Sequence, residues 1–497
     1  MKTRFKILAL VFLISITACE LDEKPTGFYS EDNFYKTEAD ADAAVNYAYD
    51  ALTFLEYSRS IFYLGDLTTE ESYTKSDEAI DNQNLDKWNV STFINNGMLT
   101  NFFKYTYIAI NRANAVLKNV PAGTYDQSIK DKFMGEAYFL RAWNYYNLVK
   151  AFGIVPIHTS LVETLDQTSA PMAQNLDEIY DLIISDCTQA IELLEINQAL
   201  GRADKAAAQA LLAKVYLTIA SSKEHNVSLY TQMNKDVSTM YQLAAKNAAE
   251  VLKNQNVYGF ETNLIEIYNV NKPQGRENIF LLSMDRSGSI EGDYSKISKL
   301  FIPYIDGATI YLKNPDNTLT KSHDGWSVFQ TNIEFYNSFD NLDKRKTELF
   351  VTKTYNEQGI LTAEFPGTIP FPFSRKYIDP DFIGDKTSTK PFLIRFSEVA
   401  LIYAEAAGPT NDAYSYLNYI RNRAGLGDAA PGLSINDFRI AILKERSWEL
   451  ALEGNRLYDL RRFNKVVEIV PNAAGLSDDQ VNFYPIPQTE INLNPGL

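Results

Sequence analysis

Apolar residues recur at helical spacing along most of the chain. From Glu38 the pattern turns helical, with Ala39, Ala43, Tyr47 and Leu52 forming a stripe. A second helix is expected over about 99–118, halted by Val120-Pro121. Residues 129–152 carry Phe133, Ala137, Leu140, Arg141, Tyr145 and Leu148 at helical spacing. Residues 176–194 carry Ile179, Leu182, Ile183, Cys187 and Ile191. The stretches 204–221 and 238–253 are Ala-rich, which allows helices to approach closely. A last helical set is expected over 396–407, 413–424 and 435–453, with Gly454 as the C-terminal cap of the last helix.

Two stretches break this pattern. Residues 55–98 are polar and punctuated, and 257–390 are rich in Gly, Pro, Asn, Asp and aromatics. The longer one holds short strand-like runs at 279–282 and 348–354. Both are too long for plain connectors, and long ordered loops tend to carry function. The paired helix lengths resemble tetratricopeptide units, in which neighbours bury each other's faces. The expected fold is therefore mostly α: a tetratricopeptide-like helical-pair scaffold with large irregular loop and short-strand insertions.

At the N-terminus, Lys2, Arg4 and Lys6 precede an apolar run over 7–16, then Thr17, Ala18 and Cys19. The run is about half the length of a membrane span, so residues 1–18 read as a secretory signal. Ile16-Thr17-Ala18-Cys19 resembles the bacterial lipobox, which makes Cys19 the expected lipidation site. Residues 19–37 then read as the lipidated cysteine and its polar, acidic tether. The body divides into a helical region over 38–256 with the 55–98 insertion, an irregular insertion over 257–390, and a C-terminal helical region over 391–497.

Composition narrows the chemistry. The formal net charge is −16, which argues against nucleic acid and anionic polymers and favours neutral ligands. Cys187 is the only other cysteine and reads as a small buried core residue. The three histidines, His158, His225 and His323, lack metal-ligand spacing, so neither a metal nor another cofactor is expected. The 31 Tyr and 28 Phe supply many rings, most of which must be core.

The most informative segment is 438–462. As a helix it sets Glu445, Glu449 and Glu453 four residues apart, where like charges repel unless neutralised. Arg446, Arg456, Arg461 and Arg462 are the expected partners. A glycosidase acid and base need carboxylates facing each other across a cleft, with one pKa raised. Carboxylates along one helix beside arginines fit structural ion pairs instead.

With Glu445-Arg446, Glu449-Leu450, Glu453-Gly454-Asn455-Arg456 and Asp459-Leu460-Arg461-Arg462, this run resembles the C-terminal signature of the SusD/RagB family. Tyr484-Pro485-Ile486-Pro487 agrees, followed by Glu490 and Asn494-Pro495. So do three earlier blocks: Glu136 to Ala142 leading to Phe152-Gly153, Gly201-Arg202-Ala203-Asp204, and Leu393 to Val399 leading to Tyr403-Ala404-Glu405-Ala406. The resemblance implies a non-enzymatic, lipid-anchored outer-membrane protein at the cell surface. Such a protein captures oligosaccharide and delivers it to a SusC-like TonB-dependent transporter. Acidic residues just after Cys19 also resemble the surface-export signal of Bacteroidetes lipoproteins. Alternatives are the same lid role for peptide or glycoconjugate cargo, a surface glycoside hydrolase, and a structural lid.

A neutral sugar needs flat aromatic faces with amide and carboxylate partners for its hydroxyls. The irregular segments supply candidates. From 55–98 these are Asp66, Tyr73, Asn84, Trp88 and Asn89; from 257–390 they are Tyr294, Tyr304, Tyr311, Asp324 and Trp326. Trp88 and Trp326 lead, because neither lies in a helical stripe that would explain burial.

Overall fold

The computed structural model describes residues 34–494; the signal segment, Cys19 and tether residues 19–33 lie outside the described residues, as do 495–497. The scaffold is built from α1 (Glu38–Asp50), α2 (Gly97–Asn119), α3 (Gln127–Phe152), α4 (Leu176–Leu193), α5 (Lys205–Glu224), α6 (Val237–Leu252), α7 (Phe396–Ala407), α8 (Asn411–Arg423), α9 (Ile435–Glu449) and α10 (Arg456–Arg462). From α2 onward each helix packs on the next as far as α8, while α1 lies across α2 and α3. This is the tetratricopeptide-like scaffold that the paired helix lengths suggest. α6 packs directly on α7 although the whole 257–390 excursion separates them in sequence.

Local chemistry explains most boundaries. The Asn96 side chain caps α2 by accepting the Met98 N–H at 3.0 Å, and Asp204 caps α5 by accepting the Ala207 N–H at 2.9 Å. α5 is enclosed on all sides and buries Ala206, Ala207, Ala208, Ala210 and Ala213, whose small side chains let its neighbours approach closely. Cys187 is fully buried in α4. The helices at both ends of the chain share one hydrophobic core.

Three expectations need correction. α1 buries Ala41, Ala44, Val45 and Ala48, not the face bearing Ala39, Ala43 and Tyr47. An alanine-rich helix can pack on either side, and Tyr47 instead lies under the Arg112 guanidinium, 3.5 Å from the ring centre. The 55–98 stretch is not a surface loop throughout. It forms the short helices Leu55–Ser58, Ser60–Gly65 and Ile80–Asp86, and Phe62, Tyr63, Leu64 and Leu67 join the main core. α9 ends at Glu449, before Gly454. The turn after it is held from outside: Glu71 accepts the Leu452 N–H at 2.8 Å, and Asp66 accepts the Gly454 N–H at 2.8 and 2.9 Å. Gly454 has φ +78°, and a side chain on Gly65 would lie 2.3 Å from its carbonyl oxygen, so both glycines serve this close approach.

Glu445 and Glu449 of α9, and Glu453 in the turn after it, are ion-paired, but by distant residues. Arg345 bonds Glu445 at 2.7 Å and Glu449 at 3.1 Å. Arg395 bonds Glu449 and Glu453, each at 2.8 Å, and Lys376 bonds Glu453 at 2.6 Å. Arg423 bonds Glu449 at 2.7 Å. The local arginines turn elsewhere: Arg446 to Asp459 (2.7 Å), Arg456 to Glu70 (2.5 Å), Arg462 to Glu405 and Asp459. Burial pushes the Glu449 carboxyl up, but Arg423, Arg395 and Arg345 together hold it well below the usual range.

The 257–390 excursion folds over this network. Its strand Asn278–Leu281, close to the expected run, pairs antiparallel with Phe392–Arg395. Leu319–His323, Thr309–Lys313, Lys353–Tyr355 and Leu361–Glu364 form an antiparallel sheet in that order. Beneath it lies a small apolar cluster of Ile302, Ile310, Leu312, Ile369, Phe371 and Phe373.

Candidate functional site

The two insertions meet along a short antiparallel ladder, Ser72–Thr74 against Phe329–Thr331. Alternation decides what faces out. Ser72, Thr74, Phe329 and Thr331 are buried, so Tyr73 and its partner Gln330 project from the other face. They open into a cleft of about 810 Å³, lined also by Lys75, Asp77, Gln83, Asp86, Lys87, Tyr304, Trp326 and Ser327. That volume lies within the ordinary span of small-molecule sites.

The rings are held by backbone contacts. The N–H groups of Gly325, Trp326 and Ser327 donate to the carbonyls of Pro303 (2.9 Å), Lys299 (2.7 Å) and Ile302 (3.1 Å). A side chain on Gly325 would sit 1.9 Å from the Ile302 oxygen, so only glycine permits this seam. Ser327 accepts the Tyr304 N–H at 2.9 Å, which ties the two aromatic segments together. Trp326 is half-buried, with Arg59 5.6 Å and Lys296 5.9 Å from its ring centre. Tyr304 is 64% exposed and Tyr73 37%, well above the core rings around them. Tyr73 and Tyr304 thus present exposed rings to the cleft, and Trp326, packed partly against the main core, borders it.

The polar wall is equally constrained. Asp86 accepts the Thr74 N–H at 3.1 Å and the Asn472 amide at 3.3 Å. Burial pushes its carboxyl up to about 6, against the lowering effect of those donors and of Lys87. Gln83 donates to the carbonyls of Ser76 (3.1 Å) and Glu78 (2.7 Å) and so fixes the loop bearing Lys75 and Asp77.

Three expected ligand residues thus converge: Tyr73, Tyr304 and Trp326. The others do not. Trp88 is a correction: it is 3% exposed, donates its indole N–H to the Thr68 carbonyl at 3.0 Å and stacks on Tyr484. Asp66 is fully buried beneath the Gly454 turn. Asp324 is buried too, accepting the Gly307 N–H at 2.9 Å and lying 3.4 Å from Lys299. Asn89 is exposed, and its amide donates to Asn84 at 2.8 Å. Tyr294 lies under Lys386, 4.7 Å from its ring centre, and Tyr311 sits in the four-stranded sheet opposite Lys321 and Tyr355; neither lines the cleft. Gln330, Gln83, Lys75, Lys87 and Asp86 were not foreseen. Only Gln330 has a sequence signal, its position between the apolar Phe329 and buried Thr331.

A second open pocket, about 650 Å³, lies beside α1 and α2. Its lining is largely apolar, including Phe103, Tyr107, Ile108 and Val162, and its Asn111 side chain is consumed by Val162. Lys104, Arg112, His158, Thr168 and Glu490 add polar groups to its wall.

Two family models match the chain. One, described as the SusD family, matches residues 371–497; the other, described as starch-binding associating with outer membrane, matches residues 21–217. SusD-like protein P2 of Formosa agariphila is 27% identical over 529 aligned residues, covering 99% of this chain and 98% of that protein. A solved laminarin-binding SusD-like protein is 25% identical with a TM-score of 0.75, covering 93% of this chain and 98% of that one. A SusD homolog from Bacteroides thetaiotaomicron, 20% identical, gives a TM-score of 0.77 over 94% and 98% of the two chains. With models matched at both ends and relatives aligned along its whole length, the chain belongs to the SusD/RagB family.

Proposed function

We propose that the protein captures an oligosaccharide in the cleft between its two insertions and passes it to a SusC-like TonB-dependent transporter in the outer membrane. The observation that carries this reading is the convergence of Tyr73, Tyr304 and Trp326 beside Gln330 and Asp86, partly exposed rings next to hydroxyl partners. The laminarin-binding relative supports a glycan as the cargo. The role is binding without catalysis: Glu445, Glu449 and Glu453 are ion-paired to guanidinium groups and do not line the cleft. Lipidation of Cys19 would hold the protein at the cell surface.

Calorimetry with laminarin and a panel of other oligosaccharides tests this, with peptides as the comparison ligands. A glycan should bind, and Trp326→Ala or Tyr304→Ala should weaken it at least about tenfold while the melting temperature moves little, because both rings are partly exposed. Binding of peptides alone would shift the cargo, and release of reducing sugar would overturn the non-catalytic role. Cys19→Ala should move the protein out of the membrane fraction.

A further inference from the structure

A second, smaller site lies far from the cleft, where the C-terminal signature meets α3. Arg446 of α9, Arg461 of α10, Lys150 of α3 and Asn482 of the short helix Asp478–Asn482 line one pocket of about 30 Å³. That is roughly twice what one water needs. Arg446 is 3% exposed, Arg461 4% and Asn482 1%, yet each directs a polar atom that finds no partner in the protein: Nη1 of Arg446, Nη2 of Arg461, and both amide atoms of Asn482. Buried donors of this kind are costly unless satisfied.

Charge is unbalanced in the same place. Arg446 spends Nε on Asp459 at 2.7 Å and Nη2 on Glu398 at 3.4 Å. Lys214 is paired with Glu398 at 2.6 Å, and Arg462 with Glu405 and Asp459. Among the described residues, Arg461 has no carboxylate partner. Its other N–H groups go to the carbonyls of Val481 (2.8 Å), Lys150 and Ala151 (3.3 Å each), and its guanidinium lies 4.3 Å from the Tyr484 ring centre. The Lys150 ammonium makes no ion pair among the described residues and packs against rings, 4.2 Å from Tyr458 and 5.2 Å from Tyr146, while Glu398 and Asp459 act on it from farther off. Five cationic side chains therefore share three carboxylates. A buried Arg461 guanidinium with no ion pair among the described residues, and unpartnered N–H donors around a pocket larger than one water, ask for an anion.

We propose that this pocket holds one small monovalent anion of about chloride's size, bound by Nη1 of Arg446, Nη2 of Arg461, the Asn482 amide and the Lys150 ammonium. The Asn482 amide turns its nitrogen inward to donate. Burial, and then Lys214, keep the Lys150 ammonium well below its ordinary range; a bound anion opposes both. The ion would pin α9, α10 and the segment leading to Tyr484 onto α3. This inference is independent of the glycan reading.

Crystals of the mature protein grown in sodium bromide, measured at the bromine edge, test it directly. An anomalous peak within hydrogen-bonding reach of Arg461 Nη2 and Arg446 Nη1 is expected. In solution the melting midpoint should stand about 2 °C or more higher in chloride than in gluconate at equal ionic strength, because the ion binds only the folded chain. Asn482→Leu, which removes one donor and fills the pocket, should abolish that difference. No bromine peak at this position, or equal midpoints in the two salts, overturns the proposal. So does a halide effect that survives intact in Asn482→Leu.

Discussion

An alanine at Gly325 would set its methyl carbon 1.9 Å from the Ile302 carbonyl oxygen. Backbone cannot yield there without breaking the hydrogen bonds that position Trp326 and Ser327. Gly325→Ala should therefore lose glycan affinity and cost about 1–3 kcal/mol of stability by thermal unfolding, whereas Trp326→Ala should lose affinity alone. An unchanged affinity in Gly325→Ala would mean that the seam does not hold the ring. Asp86 gives a pH test. Its folded pKa is raised to about 6 from 3.8, so its contribution to stability is present at low pH and is lost as pH rises through about 6. The wild type should gain on Asp86→Asn as pH falls below about 6. Over the same range glycan affinity should weaken, because the ionised carboxylate is the stronger acceptor for a hydroxyl. A flat affinity profile would remove Asp86 from the site. At this scale the sequence was only partly legible. Trp88 and Trp326 both sit in polar stretches, and nothing local distinguishes them. Trp88 is buried because Tyr484, from the far end of the chain, lies parallel to it.

α9 exposes how much of an element's environment comes from elsewhere. Its glutamates, with Glu453 just beyond its end, were readable as ion-paired, and they are, yet their partners Arg345, Arg395, Arg423 and Lys376 lie in other segments. Sequence proximity favoured Arg446, Arg456, Arg461 and Arg462, but those guanidiniums point to Asp459, Glu70, the Val481 carbonyl and Glu405. Breaking one buried partner leaves charge uncompensated, so Arg395→Met should cost about 3–5 kcal/mol. Because Arg395 touches Glu277, Glu449 and Glu453, removing Glu449 as well should recover only part of that loss. A melting temperature within a degree of wild type for Arg395→Met would show the network to be idle. The opposite lesson holds for α3 and α5. α3 was legible from the helical spacing of its apolar residues and α5 from its alanine content, both over long stretches; α1 was placed but turned, since alanine marks no side.

For the whole molecule, the scaffold could be read from helix lengths and ordered motifs, while the site could not. The cleft belongs to neither insertion alone. Tyr73, Lys75 and Asp86 come from one; Tyr304, Trp326 and Gln330 come from the other, more than 200 positions along. A window of sequence sees each half as an irregular polar stretch, because the pairing of Tyr73 with Gln330 is a long-range event. The net charge of −16 describes the whole surface, yet it does not describe the cleft, where Lys75 and Lys87 stand beside Asp77 and Asp86.

The ladder between Ser72–Thr74 and Phe329–Thr331 also limits how cargo preference can be inherited. The base of the larger excursion is closed, since α6 and α7 touch, so it is a natural unit for transplantation between relatives. Its rim is not closed: it is stitched to a second unit encoded far upstream. A chimera that receives a relative's 257–390 segment alone should fold on an intact scaffold and bind neither parent's glycan well. One that receives 55–98 together with it should take on the donor's preference. Diversification in such a protein proceeds by matched pairs of segments, and a recombination point between them separates two halves of one specificity.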